Sequence, residues 1–372
     1  MKIQANREQL LAAFQTAQAV APSRNTTTAV LQNVKLEVTP ERSTMLATDL
    51  ELGIRVDVSD VAVETPGTVL LPIAKFGQIL RETTDETLHL ESDGAQLHVR
   101  GQRARFDLPS VNPGEFPSVP GFNEQKYHEI PARLLRELIR RTVFATDNES
   151  TRYALGGVLL EMIDDNIVAV GTDGRRLAKM EGKAQCVEGH STAEQNVIVP
   201  TKAMQVIERT LGDPDATIAV AARANDILVR TPKATVSARL VEGRFPKWRD
   251  VIPKRGAGQT VEMVVGPVYS AVRQAAIATS DESRGIDFCF GDGRLVLSAR
   301  ATDVGEAQVE LPIAYDHEEI KIMLDPRFMI DFFKVLEGEQ SFTFSISSST
   351  EPAVCRTEDG YEYVIMPLAR DR

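Results

Sequence analysis

The residues with the clearest chemical purpose are cations at helical spacing. Arg133, Arg136 and Arg140 fall on one helix face, with Leu134, Leu135, Leu138 and Ile139 opposite. Lys202 and Arg209 share a face, with Met204, Ile207 and Leu211 turned away, and Arg327 and Lys334 repeat that placement. Lys75 stands in register with Lys202 and Arg327, and Arg24, Arg81, Arg103, Arg105, Arg141 and Arg273 add positive charge. Cations arranged this way contact phosphates, which positions nucleic acid without reading its sequence. The plainer reading is a set of solvated amphipathic helices. Glu137, Glu208 and Asp331, on or near the same faces, speak for it, and pattern alone leaves both readings open.

Other chemistry finds no support. The chain has no GxxxxGK[ST] phosphate loop, no GxGxxG after a strand, no HExxH and no GxSxG. Cys186, Cys289 and Cys355 are too far apart for a zinc knuckle or disulfide framework, and His89, His98, His128, His190 and His317 lack ligand spacing. No metal or cofactor is expected. The most site-like segment is Gly171-Thr172-Asp173-Gly174-Arg175-Arg176-Leu177, which on its own reads as a turn with exposed arginines.

The elements that must position these residues come in three copies. Thr-Asp pairs end apolar strands at Thr48-Asp49, Thr172-Asp173 and Thr302-Asp303, 124 and 130 residues apart. A strand then leads into a short helix: Val69–Pro72 before Lys75–Leu80, Val197–Pro200 before Lys202–Ile207, Ile322–Leu324 before Arg327–Ile330. Turn pairs Asp93-Gly94, Asn225-Asp226 and Asp359-Gly360 each precede a period-2 strand and favour tight hairpins, since these residue types tolerate positive φ. Each copy opens on a helical stretch: residues 6–20 with Asn6 as N-cap and Leu10, Leu11, Phe14 and Ala17 on one face, then a helix from Pro131, then one after Pro267. Phe116-Pro117 and Phe245-Pro246 close the first two.

The period far exceeds the 20–50 residues of a solenoid repeat, so it marks three whole α+β domains. The expected domains are residues 1–123, 124–257 and 258–372. The 372 residues carry a net charge of −11, with 42% hydrophobic and 26% charged residues. That composition excludes a disordered chain and a uniformly basic one, but not a local basic groove. The first residues lack the apolar core of a signal peptide, and there is no apolar run of about eighteen residues. A soluble intracellular protein without membrane contact is expected.

Several segments, in order, carry a resemblance over essentially the whole chain. They are Arg152-Tyr153-Ala154-Leu155-Gly156-Gly157, Thr172–Ala178, Val197-Ile198-Val199-Pro200, Leu240-Val241-Glu242-Gly243-Arg244-Phe245-Pro246, and Tyr363-Val364-Ile365-Met366-Pro367-Leu368. With the threefold repeat, they resemble the bacterial DNA polymerase III beta subunit family, the replicative sliding clamps. The resemblance implies three repeated DNA-clamp domains and a head-to-tail homodimer ring, with helices lining the hole and antiparallel sheets outside. It implies a non-catalytic processivity factor that encircles double-stranded DNA of any sequence. Its other partners would be the DNA polymerase III alpha subunit, a clamp loader, and other DNA polymerases and repair proteins. The location would be cytoplasmic, at the nucleoid.

By the same resemblance, a peptide pocket comprises Leu155, Thr172, Leu177, Pro246, Val251, Val364 and Met366 as apolar floor, Gly174, Arg175 and Arg176 as a wall, and Arg152 and Leu368 in an adjoining subsite. Arg24, Lys75, Arg81, Arg103, Arg136, Arg141, Tyr153, Lys202, Arg209 and Arg327 are the expected DNA contacts. Phe106, Leu108, Ile277 and Ala278 are expected at the dimer interface. The chain departs from the family where Arg175 replaces His, Ala154 replaces a second tyrosine, Leu368 replaces Met and Ala278 replaces Leu. A protein-binding repeat scaffold without topological DNA linkage, and an enzyme with an unrecognised carboxylate site, are the competing readings.

Overall fold

The computed structural model describes residues 1–22, 28–147, 149, 154–254, 256, 258–281 and 283–369. They fall into two compact units: Met1–Leu135 with Ala184–Leu240, and Arg136–Lys183 with Val241–Arg372.

The first unit opens on strand Lys2–Asn6, which runs directly into helix Arg7–Gln18. Asn6 makes the switch, because its side chain accepts hydrogen bonds from the N–H groups of Glu8 and Gln9 at 2.9 and 3.2 Å. Those are amides that a helix start leaves unpaired. Leu10, Ala13, Phe14 and Ala17 form the buried stripe, and Leu11 lies only at its margin. Phe14 meets Phe76, on helix Ile73–Glu82, edge to face at 5.2 Å. Five strands form one antiparallel sheet in the order 61–65, 2–6, 87–92, 96–100, 105–109. A nine-stranded sheet runs 185–187, 127–131, 217–222, 226–230, 234–239, 52–58, 43–48, 33–38, 67–72.

In the second unit, strands 157–163, 166–172, 176–183, 362–365, 353–356, 341–346 and 259–264 lie side by side in that order. A four-stranded sheet runs 305–312, 294–301, 286–291, 320–324. Phe332 of helix Pro326–Lys334 stacks on Tyr361 and Tyr363 at 5.6 and 5.2 Å and meets Phe342 edge to face. These rings fill the core under the sheet.

Three expectations need correction. Each copy opens on a strand, not a helix: Lys2–Asn6, Tyr127–Pro131 and Gln259–Val264. These strands are too short to separate from the helix that follows by periodicity. The third helix, Val265–Ala275, begins before Pro267, and a first-turn proline removes no intrahelical bond. The third Thr-Asp pair is also out of register. Thr48 and Thr172 are the last ladder residues of their hairpins, opposite Gly53 and Leu177. In the third copy Ala301 already pairs with Gly305, so Thr302 and Asp303 lie in a tighter connection. Their equivalents in the ladder are Arg300 and Ala301.

Each unit joins two copies edge to edge. In the first, Leu52–Val56 pairs with Ala234–Ala238; in the second, Arg176–Lys179 pairs with Glu362–Ile365. Two of the open sheet edges occupy the positions that form these joints in the other copies. Strand Arg105–Pro109 is bonded only to Gln96–Arg100, and strand Gly305–Pro312 only to Arg294–Ala301.

Candidate functional site

The candidate pocket lies wholly in the second unit and is built around the hairpin Thr172–Arg176. Asp173 Oδ1 accepts from the N–H groups of Arg175 and Arg176 at 2.9 and 3.0 Å. The Thr172 hydroxyl donates to the Arg176 carbonyl at 2.6 Å and accepts from the Gly174 N–H at 3.1 Å. Gly174 sits at φ +86°, where glycine is unstrained. The turn therefore forms from its own side chains and presents Gly174 and Arg175 to solvent.

Leu177 and Val364 stand directly opposite each other across the joint. They are buried in the core, as are Leu155 and Thr172. Of the expected apolar residues, Met366 is 40% exposed and Val251 41% exposed, with Pro246 half-buried. Trp248 and Arg249, on the helical turn that carries Val251, both donate to Glu161, which pins that turn. Leu368 is half-buried, its N–H donates to the Met323 carbonyl at 2.9 Å, and it borders a cavity of about 740 Å³ with Ile320, Lys321, Met323 and Thr350.

The two wall arginines do different work. Arg175 is exposed and lines a polar cavity of about 480 Å³ with Asp147, Asp173, Arg327 and Asp331. Arg176 is a brace. Its guanidinium donates to Asp173, to Asp331 at 2.7 Å and to the Phe144 carbonyl at 2.8 Å, and lies 4.6 Å from the Phe328 ring centroid. Burial disfavours the charge, but Tyr363, Asp331 and Asp173 overcome it and hold the group protonated well above its ordinary range.

The expected phosphate contacts divide similarly. In the first unit Lys75, Arg81, Arg103 and Arg209 are exposed, while Lys202 is tied to Asp49 at 2.5 Å and to the Val20 carbonyl. In the second, Arg136 is half-buried and Arg327 pairs with Asp325. Arg141 contradicts its expected role. Its side chain is only 8% exposed, it binds Glu137 and Asp359 at 2.9 and 2.7 Å, and it lies over Tyr361 at 5.3 Å. Helical spacing cannot show this, because Asp359 lies 218 residues away in sequence. Arg24, Arg152 and Tyr153 lie outside the described residues.

Of the expected interface residues, Phe106 and Leu108 are half-buried on the open edge Arg105–Pro109, and Ile277 is 75% exposed. Ala278 is buried within its own unit. The open edge Gly305–Pro312 was missed. The repeat itself held the signal, since both copies that precede it place a partner strand at that position.

The fold defines a class: an α+β protein built from one domain in triplicate. Comparison with known proteins places it more narrowly. Family models for the N-terminal, central and C-terminal domains of the DNA polymerase III beta subunit match residues 1–120, 129–247 and 249–369, and the chain belongs to that family. It is 30% identical to the beta sliding clamp of Pseudomonas putida, over 97% of this chain and 98% of that one. It is 29% identical to that of Chlamydia pneumoniae, over 99% of each. The crystal structure of the DNA polymerase III beta subunit from Pseudomonas aeruginosa matches 99% of this chain and 100% of its own, with a TM-score of 0.90 at 28% identity. The griselimycin-bound clamp of that organism matches over the full length of both chains with 0.92. The chain is thus a sliding clamp, a non-catalytic processivity subunit of a polymerase holoenzyme, and the scaffold and enzyme readings fall away.

Proposed function

We propose that two copies of this chain close head to tail around double-stranded DNA and tether the polymerase through the rim at Val251, Pro246 and Met366. The observation that carries the reading is the joint used twice within the chain. Each joint pairs the strand after one copy's hairpin turn with the closing strand of the next copy. The third copy's strand Gly305–Pro312 and the first copy's closing strand Arg105–Pro109 are the unmatched members of that series. A second chain satisfies both, with Phe106 and Leu108 facing the partner and Ile277 beside them. The interface closes after two subunits, as a heterologous contact may when its rotation is right.

Exposed Lys75, Arg81, Arg103 and Arg209 then supply phosphate contacts that permit sliding, helped by Arg136, Lys202 and Arg327. The DNA polymerase III alpha subunit, the clamp loader and other polymerases and repair proteins compete for the rim. The griselimycin-bound clamp of Pseudomonas aeruginosa supports a ligand site on this fold. The three domains follow the boundaries 1–123, 124–257 and 258–372. No described helix is long and apolar enough to cross a membrane. A clamp that acts on chromosomal DNA works in the cytoplasm, at the nucleoid.

The test is to load the protein on nicked circular DNA with a clamp loader and ATP, then linearise the DNA at a salt concentration that screens phosphate contacts. Retention on the circle with rapid loss from the cut form is the expected result. Equal release from both overturns the reading.

A further inference from the structure

The two internal joints share a register that can be carried to the open edges. The connection Gly101–Ala104, closed by the Gly101 N–H donating to the Ala104 carbonyl, matches Thr231–Ala234, closed in the same way. Arg105, Phe106, Asp107, Leu108 and Pro109 therefore correspond to Thr235, Val236, Ser237, Ala238 and Arg239. On the other edge, Arg300 opposite Glu306 corresponds to Thr48 opposite Gly53. Since Gly53 faces Ser237 in the first joint, Glu306 must face Asp107 where two copies meet. Ala307 then faces Phe106 and Gly305 faces Leu108.

This places two carboxylates opposite each other at the end of a cross-strand row. Across one face of the five-stranded sheet, Lys2 stands opposite Glu91, Glu91 opposite His98, and His98 opposite Asp107. His98 Nδ1 contacts Asp107, and its Nε2 lies 3.9 Å from Asp93. Arg105 also reaches Asp107, at 3.2 Å. Glu306 has Arg300 opposite it on its own sheet. In addition, the two internal joints each end on a backbone bond, from Arg239 N–H to the Glu51 carbonyl and from Met366 N–H to the Arg175 carbonyl. The corresponding residue at the open edge is Pro109, which has no N–H to give.

We propose that the joint between subunits is a weakened version of the internal joint, in which Asp107 faces the partner subunit's Glu306, like charge against like, and Pro109 leaves the ladder one bond short. The proposal rests on the head-to-tail reading above. Each of the two features alone weakens closure relative to the internal joints.

Sedimentation equilibrium of the full chain tests this. Glu306→Gln, an exposed and conservative change, should lower the dimer dissociation constant by about threefold to tenfold, the scale of one cross-strand charge pair at each of two interfaces. Pro109→Ala should tighten the dimer as well. A dimer that neither Glu306→Gln nor Pro109→Ala tightens overturns the proposal and leaves the head-to-tail reading intact. A chain that stays monomeric, with no crosslink between Phe106→Cys and Ala307→Cys copies, overturns the head-to-tail reading itself.

Discussion

The backbone N–H of Met366 donates to the carbonyl of Arg175 at 2.9 Å. The bond ties the rim of the candidate pocket to its cationic turn, so the residue expected to grip a peptide is positioned by the joint that holds two copies of the domain together. Arg239 and Glu51 make the same bond at 2.8 Å in the other unit. There the rim position is Arg239, not Met, and the turn carries Leu50 at φ +80° where the pocket has Gly174. One scaffold thus presents an apolar rim in one unit and a charged one in the other.

Met366→Asp should therefore abolish binding of a clamp-binding peptide, lowering affinity by at least about tenfold, with the thermal midpoint unchanged. Val364→Asp should behave differently, because Val364 is buried opposite Leu177. A carboxylate there costs about 3 kcal/mol or more and lowers the midpoint by several degrees. Fluorescence anisotropy and calorimetry on the two variants separate rim from floor.

Arg176→Met should destabilise the chain by about 3 kcal/mol, since it strands the half-buried Asp331 and Asp173 carboxylates and the Phe144 carbonyl. Urea unfolding measures the loss. Retention on circular DNA by the folded fraction should be unaffected.

Among the cations, Lys75→Glu and Arg209→Glu should weaken retention equally on unrelated DNA sequences and reduce its salt dependence, by about one unit of slope each. Arg141→Ala should leave retention unchanged and lower stability instead. Loading assays at several salt concentrations distinguish the two classes. A sequence-dependent loss would contradict a phosphate-only contact.

Asp359 gives a pH prediction. Burial raises its pKa, but hydrogen bonds from Thr357 and Arg141 outweigh burial and hold it below the ordinary carboxylate value. Its contribution to stability is complete above that value and is lost as pH falls through the folded one. Asp359→Asn should therefore be less stable than the parent chain at neutral pH, with the difference closing below about pH 4. Denaturant melts across pH 2.5–7 provide the check.

Sequence alone determined what depends on neighbours a few residues apart. The Asn6 cap, the Asp93-Gly94 hairpin turn and the helices after Pro72, Pro200 and Asp325 were legible because their bonds close within one or two turns of chain. The threefold repeat was legible because equivalent turns need equivalent residues. Only the tertiary structure decided which cations are buried in ion pairs. Arg133, Arg136, Arg140 and Arg141 are adjacent in a sequence pattern, yet Arg141 is held by Asp359 from another copy of the domain. It likewise decided that Val364 is floor and Met366 rim, that Ala278 is buried, and that the third Thr-Asp pair is out of register. These are consequences of strand pairing between segments more than a hundred residues apart, where a shift of one residue turns every side chain to the opposite face. Nothing in local spacing records that register; the packed sheets do.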